Sequence, residues 1–277
     1  MNQFRKVFGQ IKCAVVGMVH VGALPGTPKY NGSVQEIIDR ACKEAQLYAK
    51  YKIDGIMFEN MHDVPYQKSE SFTPETVATM TKVCSEVKKC LPTNTPCGVQ
   101  ILACGNKEAL AVSLVCNLDF IRCEGFVFGH IGDEGYTDAC AGSLLRYRRL
   151  LQADHIMVWS DIKKKHSAHA ITQDVSLVET AKAAQFFSTD GIIITGNSTG
   201  DPADHNCVQE IKKHCQETPV IVGSGVTEDN LQKYFPNSDA VIVGSHFKTG
   251  GYWGNDLCED RVQKFMDKVN YLRNMDK

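Results

Sequence analysis

The chain has no apolar stretch long enough to span a bilayer and no signal-peptide-like apolar core, so neither a membrane protein nor a secreted one is expected. It also has almost no charge excess. Thirty Lys and Arg stand against 32 Asp and Glu, a formal charge of -2, and the two signs are interspersed, which excludes a nucleic-acid surface. Lys163-Lys164-Lys165 is only a short local run. Its 12 cysteines contain no Cys-x-x-Cys pair and are scattered through strand-like and helix-like segments, which favours reduced thiols over a disulfide scaffold. No composition break divides the 277 residues, so one domain over 1–277 is expected. Finally, no acid precedes Glu36, while Arg5, Lys6 and Lys12 do, faintly like a transit peptide. The first strand starts near Cys13 and leaves little to discard. The expectation is therefore a cytoplasmic protein, with a mitochondrial location as the alternative.

What the chain does have is two apolar runs that stop in small residues, Val220-Ile221-Val222-Gly223-Ser224-Gly225 and Ala240-Val241-Ile242-Val243-Gly244-Ser245. A glycine after a strand often serves only a tight turn. Two such endings one helix apart match the last two strands of a barrel, where bare N–H groups clamp a phosphate. Gly223, Ser224, Gly225, Gly244 and Ser245 are the candidate phosphate ligands. Thr227-Glu228-Asp229 predicts a helix starting just beyond Gly225, capped by Thr227, with its positive end toward the anion.

An aspartate leads four runs in one register, the Ala240 run among them: Asp54 to Glu59, Asp119 to Glu124, Asp190 to Thr195 and Asp239 to Gly244. Runs starting at Cys13, Gly98, Ile156 and Val220 bring the strands to eight. Helical patterns separate them, such as Val34, Ile37, Ile38, Ala41, Ala45 and Tyr48 behind the cap Ser33, or Val77, Met80, Val83 and Val87 behind Thr73-Pro74-Glu75. Eight strands with crossover helices predict an α/β (βα)8 TIM barrel. In the aligned runs, positions two and four after the aspartate are all apolar and should face the helices. Positions one, three and five should face the lumen, placing Glu59, Glu124, Thr195 and Gly244 at the C-terminal mouth with Arg122 below. A buried Arg122 needs a partner, and Glu59 or Glu124 is expected to supply it.

Chemistry in such barrels sits at strand ends facing the mouth. Those ends bring His20, Glu59, Asn60, Asp161, Lys165, His166, Thr195 and Thr199. Each has a plainer reading. His20 would serve a loop carbonyl, Asp161 would cap a turn, and His166 or His169 would be solvated. A metal held by His20, Glu59, Asp161 and His166 is chemically conceivable, but the spacing matches no zinc signature and no metal is assigned.

Gly17-Met18-Val19-His20, Leu24-Pro25-Gly26-Thr27-Pro28, Glu59-Asn60, Thr76-Val77-Ala78, Arg122, Leu145-Arg146-Tyr147-Arg148-Arg149, Asp161, Lys165-His166, Thr199-Gly200, Gly223 to Thr227 and Val243-Gly244-Ser245 with Lys248 and Gly250 follow one another in an order that resembles the BtpA family, over nearly the whole chain. The resemblance implies a ribulose-phosphate-binding type of barrel and the same phosphate site. The family is named for a role attributed to it in photosystem I biogenesis. The chain departs from the family pattern where Glu124 replaces an asparagine and where Lys163 and Lys164 replace a histidine and a valine.

Three functions follow. The first is an isomerase, epimerase or lyase acting on a phosphorylated sugar-like metabolite. Glu59 is the base, Asp161 and His166 the acid or orienting groups, and Lys165 an oxyanion stabiliser or Schiff-base amine. His20, Asn60, Arg122, Glu124, Thr195 and Thr199 bind the substrate. The second is a non-catalytic assembly factor. The third is an FMN enzyme, since the same clamp suits the phosphate of a flavin. Otherwise the cofactor is unassigned, and the partners expected are the metabolite itself and, as barrels of this kind often pair, a second copy.

Overall fold

The computed structural model describes residues 3–275. Eight parallel strands close into a barrel: β1 (Ala14–His20), β2 (Gly55–Glu59), β3 (Cys97–Gln100), β4 (Phe120–Cys123), β7 (Met157–Asp161), β9 (Gly191–Ile194), β10 (Val220–Val222) and β11 (Ala240–Val243). Helices α2 (Val34–Lys50), α3 (Pro74–Lys89), α4 (Asn106–Cys116), α5 (Ala141–Leu150), α6 (Leu177–Phe186), α7 (His205–His214) and α8 (Leu231–Tyr234) connect them, and α9 (Glu259–Met275) follows the last strand. Local chemistry explains the boundaries. The Ser33 hydroxyl accepts the Glu36 N–H at the start of α2, and Pro74 opens α3. None of the described helices is long and apolar enough to cross a membrane.

The alternation read from the sequence holds. Ile56, Phe58, Ile121, Cys123, Ile192, Ile194, Val241 and Val243 pack in the outer core under the helices. Met57, Phe120, Ile193, Ala240 and Ile242 pack in a separate inner cluster. The repeated aspartates have a cause that the sequence did not announce. Asp54, Asp119, Asp190 and Asp239 each accept the N–H of a neighbouring strand, from Val15, Cys97, Val158 and Val220, at 2.7 to 2.9 Å. A barrel leaves its first N–H groups without ladder partners, and a carboxylate one strand over satisfies them. Asp119→Ala should therefore cost about 1–3 kcal/mol by orphaning the Cys97 N–H. The check is a lower urea midpoint at unchanged slope.

Two features were not anticipated. Helix α1 (Gln3–Phe8) closes the floor, stacking Phe4 on Phe8 at 4.8 Å and Phe8 near Trp159 at 5.8 Å, with Phe120 against Trp159 at 3.9 Å. Six residues with two aromatics have too little periodicity to announce a plug. A small antiparallel sheet of β5 (His130–Gly132), β6 (Gly135–Thr137) and β8 (Ser167–Ala168) forms from the loops after β4 and β7. Another feature is a correction. No helix starts at Thr227; its N–H instead donates to the Asn230 side chain at 2.8 Å, and α8 begins only at Leu231 and runs four residues. The asparagine captures the turn that the threonine was expected to cap. A single turn adds little dipole, so the case for an anion there rests on backbone N–H groups.

Candidate active site

Glu59 and Gln100 end β2 and β3, and Arg122 is the last residue but one of β4, the next strand round the barrel. The pairing of Glu59 with Gln100 and of Arg122 with Trp159 sets their heights. Arg122 is 4 % exposed, and its partner corrects the expectation: Nε and Nη2 donate to the two Asp161 oxygens at 2.8 and 2.9 Å, not to Glu59 or Glu124. β7 is the next strand round, and Asp161 ends it at the height where a planar fork can meet both oxygens. Burial works against the Arg122 charge, but Asp161, Glu59 and Glu124 outweigh it and raise its pKa. Asp161 is thereby held as a counter-ion.

Glu124 goes elsewhere. Its Oε1 lies 3.3 Å from Lys164 Nζ, and its Oε2 accepts the Cys104 N–H at 3.0 Å. Burial opposes its ionisation, yet Lys164, that N–H and Arg122 prevail and lower its pKa. Glu124 and Lys164, two of the departures from the family pattern, thus meet each other. Lys163 turns away to the Thr172 carbonyl at 3.0 Å. The turn after β7 passes through left-handed backbone at Lys163 and His166, with φ of 44° and 55°. Such strain in non-glycine residues costs about 1–3 kcal/mol each and concentrates at functional sites.

Among the described residues these pairings leave Glu59 and Lys165 without a direct ion-pair partner of fixed charge. Burial raises the Glu59 pKa, against the pull of Lys165 and Arg122. Burial and then Arg122 lower that of Lys165, whose Nζ donates to the Thr199 hydroxyl at 3.3 Å. His20 explains part of this. Burial and then Lys248 push its pKa down to about 3, so the ring is neutral. Its Nδ1 faces the Trp253 carbonyl at 3.1 Å and must donate there, which leaves an unprotonated Nε2 facing Glu59 at 3.7 Å. A lone pair beside the carboxyl favours its protonated form.

The mouth cavity has two connected lobes. The smaller, about 130 Å³, is lined by Gly223, Ser224, Gly225, Gly244 and Ser245 together with Thr199, Glu59, Arg122 and Lys165. Among the described residues, the N–H groups of Ser224, Gly225, Val226, Ser245 and His246 donate to no protein acceptor. The Ser224 hydroxyl is already used, accepting from Gly196 N–H and donating to the Asp201 carbonyl. Gly225 owes its identity to packing: at φ +67°, a Cβ there would lie 2.2 Å from the Pro202 nitrogen. Arg261, from the first turn of α9, also lines this lobe, held by the His246 carbonyl and by its Nδ1 at 3.0 Å. Sequence reading missed it, because nothing near Glu259-Asp260-Arg261 ties that helix to the mouth.

The larger lobe, about 430 Å³, is lined by Glu59, Arg122, Glu124, Asp161, Lys165 and His166 among others. His166 bonds the Thr199 hydroxyl at 2.9 Å and is lowered in pKa by burial and Lys165. Two candidate residues lie outside both lobes. Asn60 braces its own loop, donating to Asp63 and accepting the Leu102 N–H, and the Thr195 hydroxyl accepts the Lys165 N–H at 3.0 Å. Among the described residues no three His, Cys, Asp or Glu side chains cluster as metal ligands. Gln100, Lys164 and Glu134 line the larger lobe and were not anticipated. Alternation applied to the third strand, with Val99 and Ile101 outward, would have found Gln100.

A family model described as the BtpA family matches residues 11–271. The chain belongs to the BtpA family. It is 46 % identical to an uncharacterized mitochondrial protein of Caenorhabditis elegans, covering 97 % of both chains. It is 30 % identical to the photosystem I biogenesis protein BtpA of Synechocystis, covering 92 % of this BtpA-family chain and 87 % of that one. Among solved structures, orotidine 5′-monophosphate decarboxylase from Methanocaldococcus jannaschii, complexed with the inhibitor BMP, superposes with a TM-score of 0.60 at 16 % identity, covering 94 % of this chain and all of the other. That likeness carries the fold alone: the BtpA-family chain is a TIM barrel.

Proposed function

We propose that this protein is an enzyme that binds a phosphorylated, sugar-like metabolite at the barrel mouth and performs isomerase, epimerase or lyase chemistry on it. One observation carries the reading. One mouth cavity has unpartnered N–H groups and Arg261 in its smaller lobe, and lining both lobes a carboxyl pushed up and an amine pushed down in pKa. Groups whose environments bring their proton affinities together are suited to exchange protons with one substrate. Glu59 is the base. Lys165, beside it, stabilises the developing oxyanion or condenses with a carbonyl, and Asp161 fixes Arg122. Anchoring a remote phosphate spends its binding energy on orientation. The phosphorylated substrate named in the decarboxylase supports the same class.

The test is to incubate the protein with pentose and hexose phosphates in deuterium oxide and follow exchange or isomerisation by NMR. Inertness across the panel, with a partner protein copurifying stoichiometrically, would replace the enzyme by an assembly factor. The anion end has its own test. Ser245 faces the smaller lobe, and Ser245→Asp would set a carboxylate against the bound dianion. Phosphate affinity by calorimetry should fall at least about tenfold at an unchanged melting temperature. The worm relative's name accords with a mitochondrial location. Phe4 and Phe8, on either side of Arg5 and Lys6, belong to the barrel floor.

A further inference from the structure

The larger lobe exceeds what a bare sugar requires, and its outer wall differs from the rest of the mouth. At about 430 Å³ it is more than three times the smaller lobe, about 130 Å³, where the unpartnered N–H groups lie. Glu59, Arg122 and Lys165 line both lobes, so the carbons next to the phosphate lie at their junction. The space beyond is left for a further group. Its wall there is Tyr66, Leu102, Ala103, Tyr252 and Trp253, mostly apolar and aromatic.

Trp253 is held in place. Its ring lies 5.0 Å from His62 and 5.5 Å from Tyr252, and its carbonyl is fixed by His20. On the strand between those of Glu59 and Arg122 stands Gln100, 2 % exposed and level with Glu59, whose side-chain oxygen has no hydrogen-bond partner among the described residues. A buried carboxamide left unpaired is a desolvation cost that a ligand recovers by presenting donors and acceptors along a planar edge. An aromatic wall with one unpaired amide is the arrangement of a pocket for a flat, polar-edged ring.

We infer that the larger lobe is a ring-binding subsite: the substrate is a phosphoester whose sugar carries a heteroaromatic ring, seated against Trp253 and Tyr252 and read along its edge by Gln100. This rests on the phosphoester reading of the smaller lobe.

The experiment measures, by calorimetry on the full chain, inorganic phosphate, ribose 5-phosphate, purine and pyrimidine nucleoside 5′-monophosphates and flavin mononucleotide. At least one ring-bearing ligand should bind about tenfold or more tighter than ribose 5-phosphate. Trp253→Ala should erase that advantage while ribose 5-phosphate binds as before, Trp253→Phe should keep part of it, and Gln100→Met should reduce it for ligands with a donor edge. If ring-bearing ligands bind no tighter than ribose 5-phosphate, or their advantage survives Trp253→Ala, the ring subsite is overturned and the phosphoester site stands. If neither phosphate nor any phosphoester binds, both fall.

Discussion

Glu59→Gln is expected to lower turnover of any accepted phosphorylated substrate by about 10²–10⁴-fold, the usual worth of a positioned general base, with phosphate affinity unchanged. The pH profile adds a second signature. A base acts when ionised, and burial raises the Glu59 pKa, so the rising limb of the rate should lie above the ordinary glutamate range. An acid or electrostatic role for Lys165 needs its proton, and burial beside Arg122 lowers its pKa, so the falling limb should lie below the ordinary lysine range. Glu59→Gln should abolish the rising limb alone. Stability should move the other way. With the folded-state pKa raised, the contribution of Glu59 is fully present below the unfolded carboxyl value and is lost as pH rises through the folded one. At pH 8 the glutamine variant should thus be the more stable protein and the less active one. A variant equally active, or less stable at that pH, would remove Glu59 from the base role.

The fold was legible because period-two burial is written directly into these strands. Ile56 and Phe58 face outward and Met57 inward, for the same reason as Ile192, Ile194 and Ile193, and an aspartate marks where each such run begins. The site was legible only as far as the same rule reaches. It placed Glu59, Arg122 and Glu124 at the mouth but not their partners, because pairing depends on which strand lies next in the ring and how far a side chain extends. Asp161 ends the strand beside Arg122 and takes it, while Lys164 arrives from a strained loop and takes Glu124. Arg261, from the last helix, and the residue 130–137 hairpin, which carries Glu134 to Lys164 at 3.9 Å, reach the mouth only through tertiary packing. Local motifs do not encode that.

The other large effect expected is at Arg122, where structural and functional roles can be separated. Arg122→Met leaves the Asp161 carboxylate 5 % exposed with no cation in its plane, and breaking a buried pair from one side costs about 3–5 kcal/mol. Chemical denaturation should show that loss. Replacing both, as Arg122→Met with Asp161→Leu, removes the unpaired charge, and stability should return to within about 1 kcal/mol of the parent, since apolar residues of similar volume often substitute for a buried pair without penalty. Function should not return with it. Arg122 lines both lobes, and its Nη1 takes no part in the fork to Asp161, so the guanidinium keeps a charged donor for a ligand in the cavity. The stable double variant should bind phosphoesters at least about tenfold more weakly, one charge-assisted contact's worth. If it regained stability and bound phosphoesters like the parent, Arg122 would be a structural cross-brace between β4 and β7, and the charge that orients the substrate would have to come from Lys165 or Arg261.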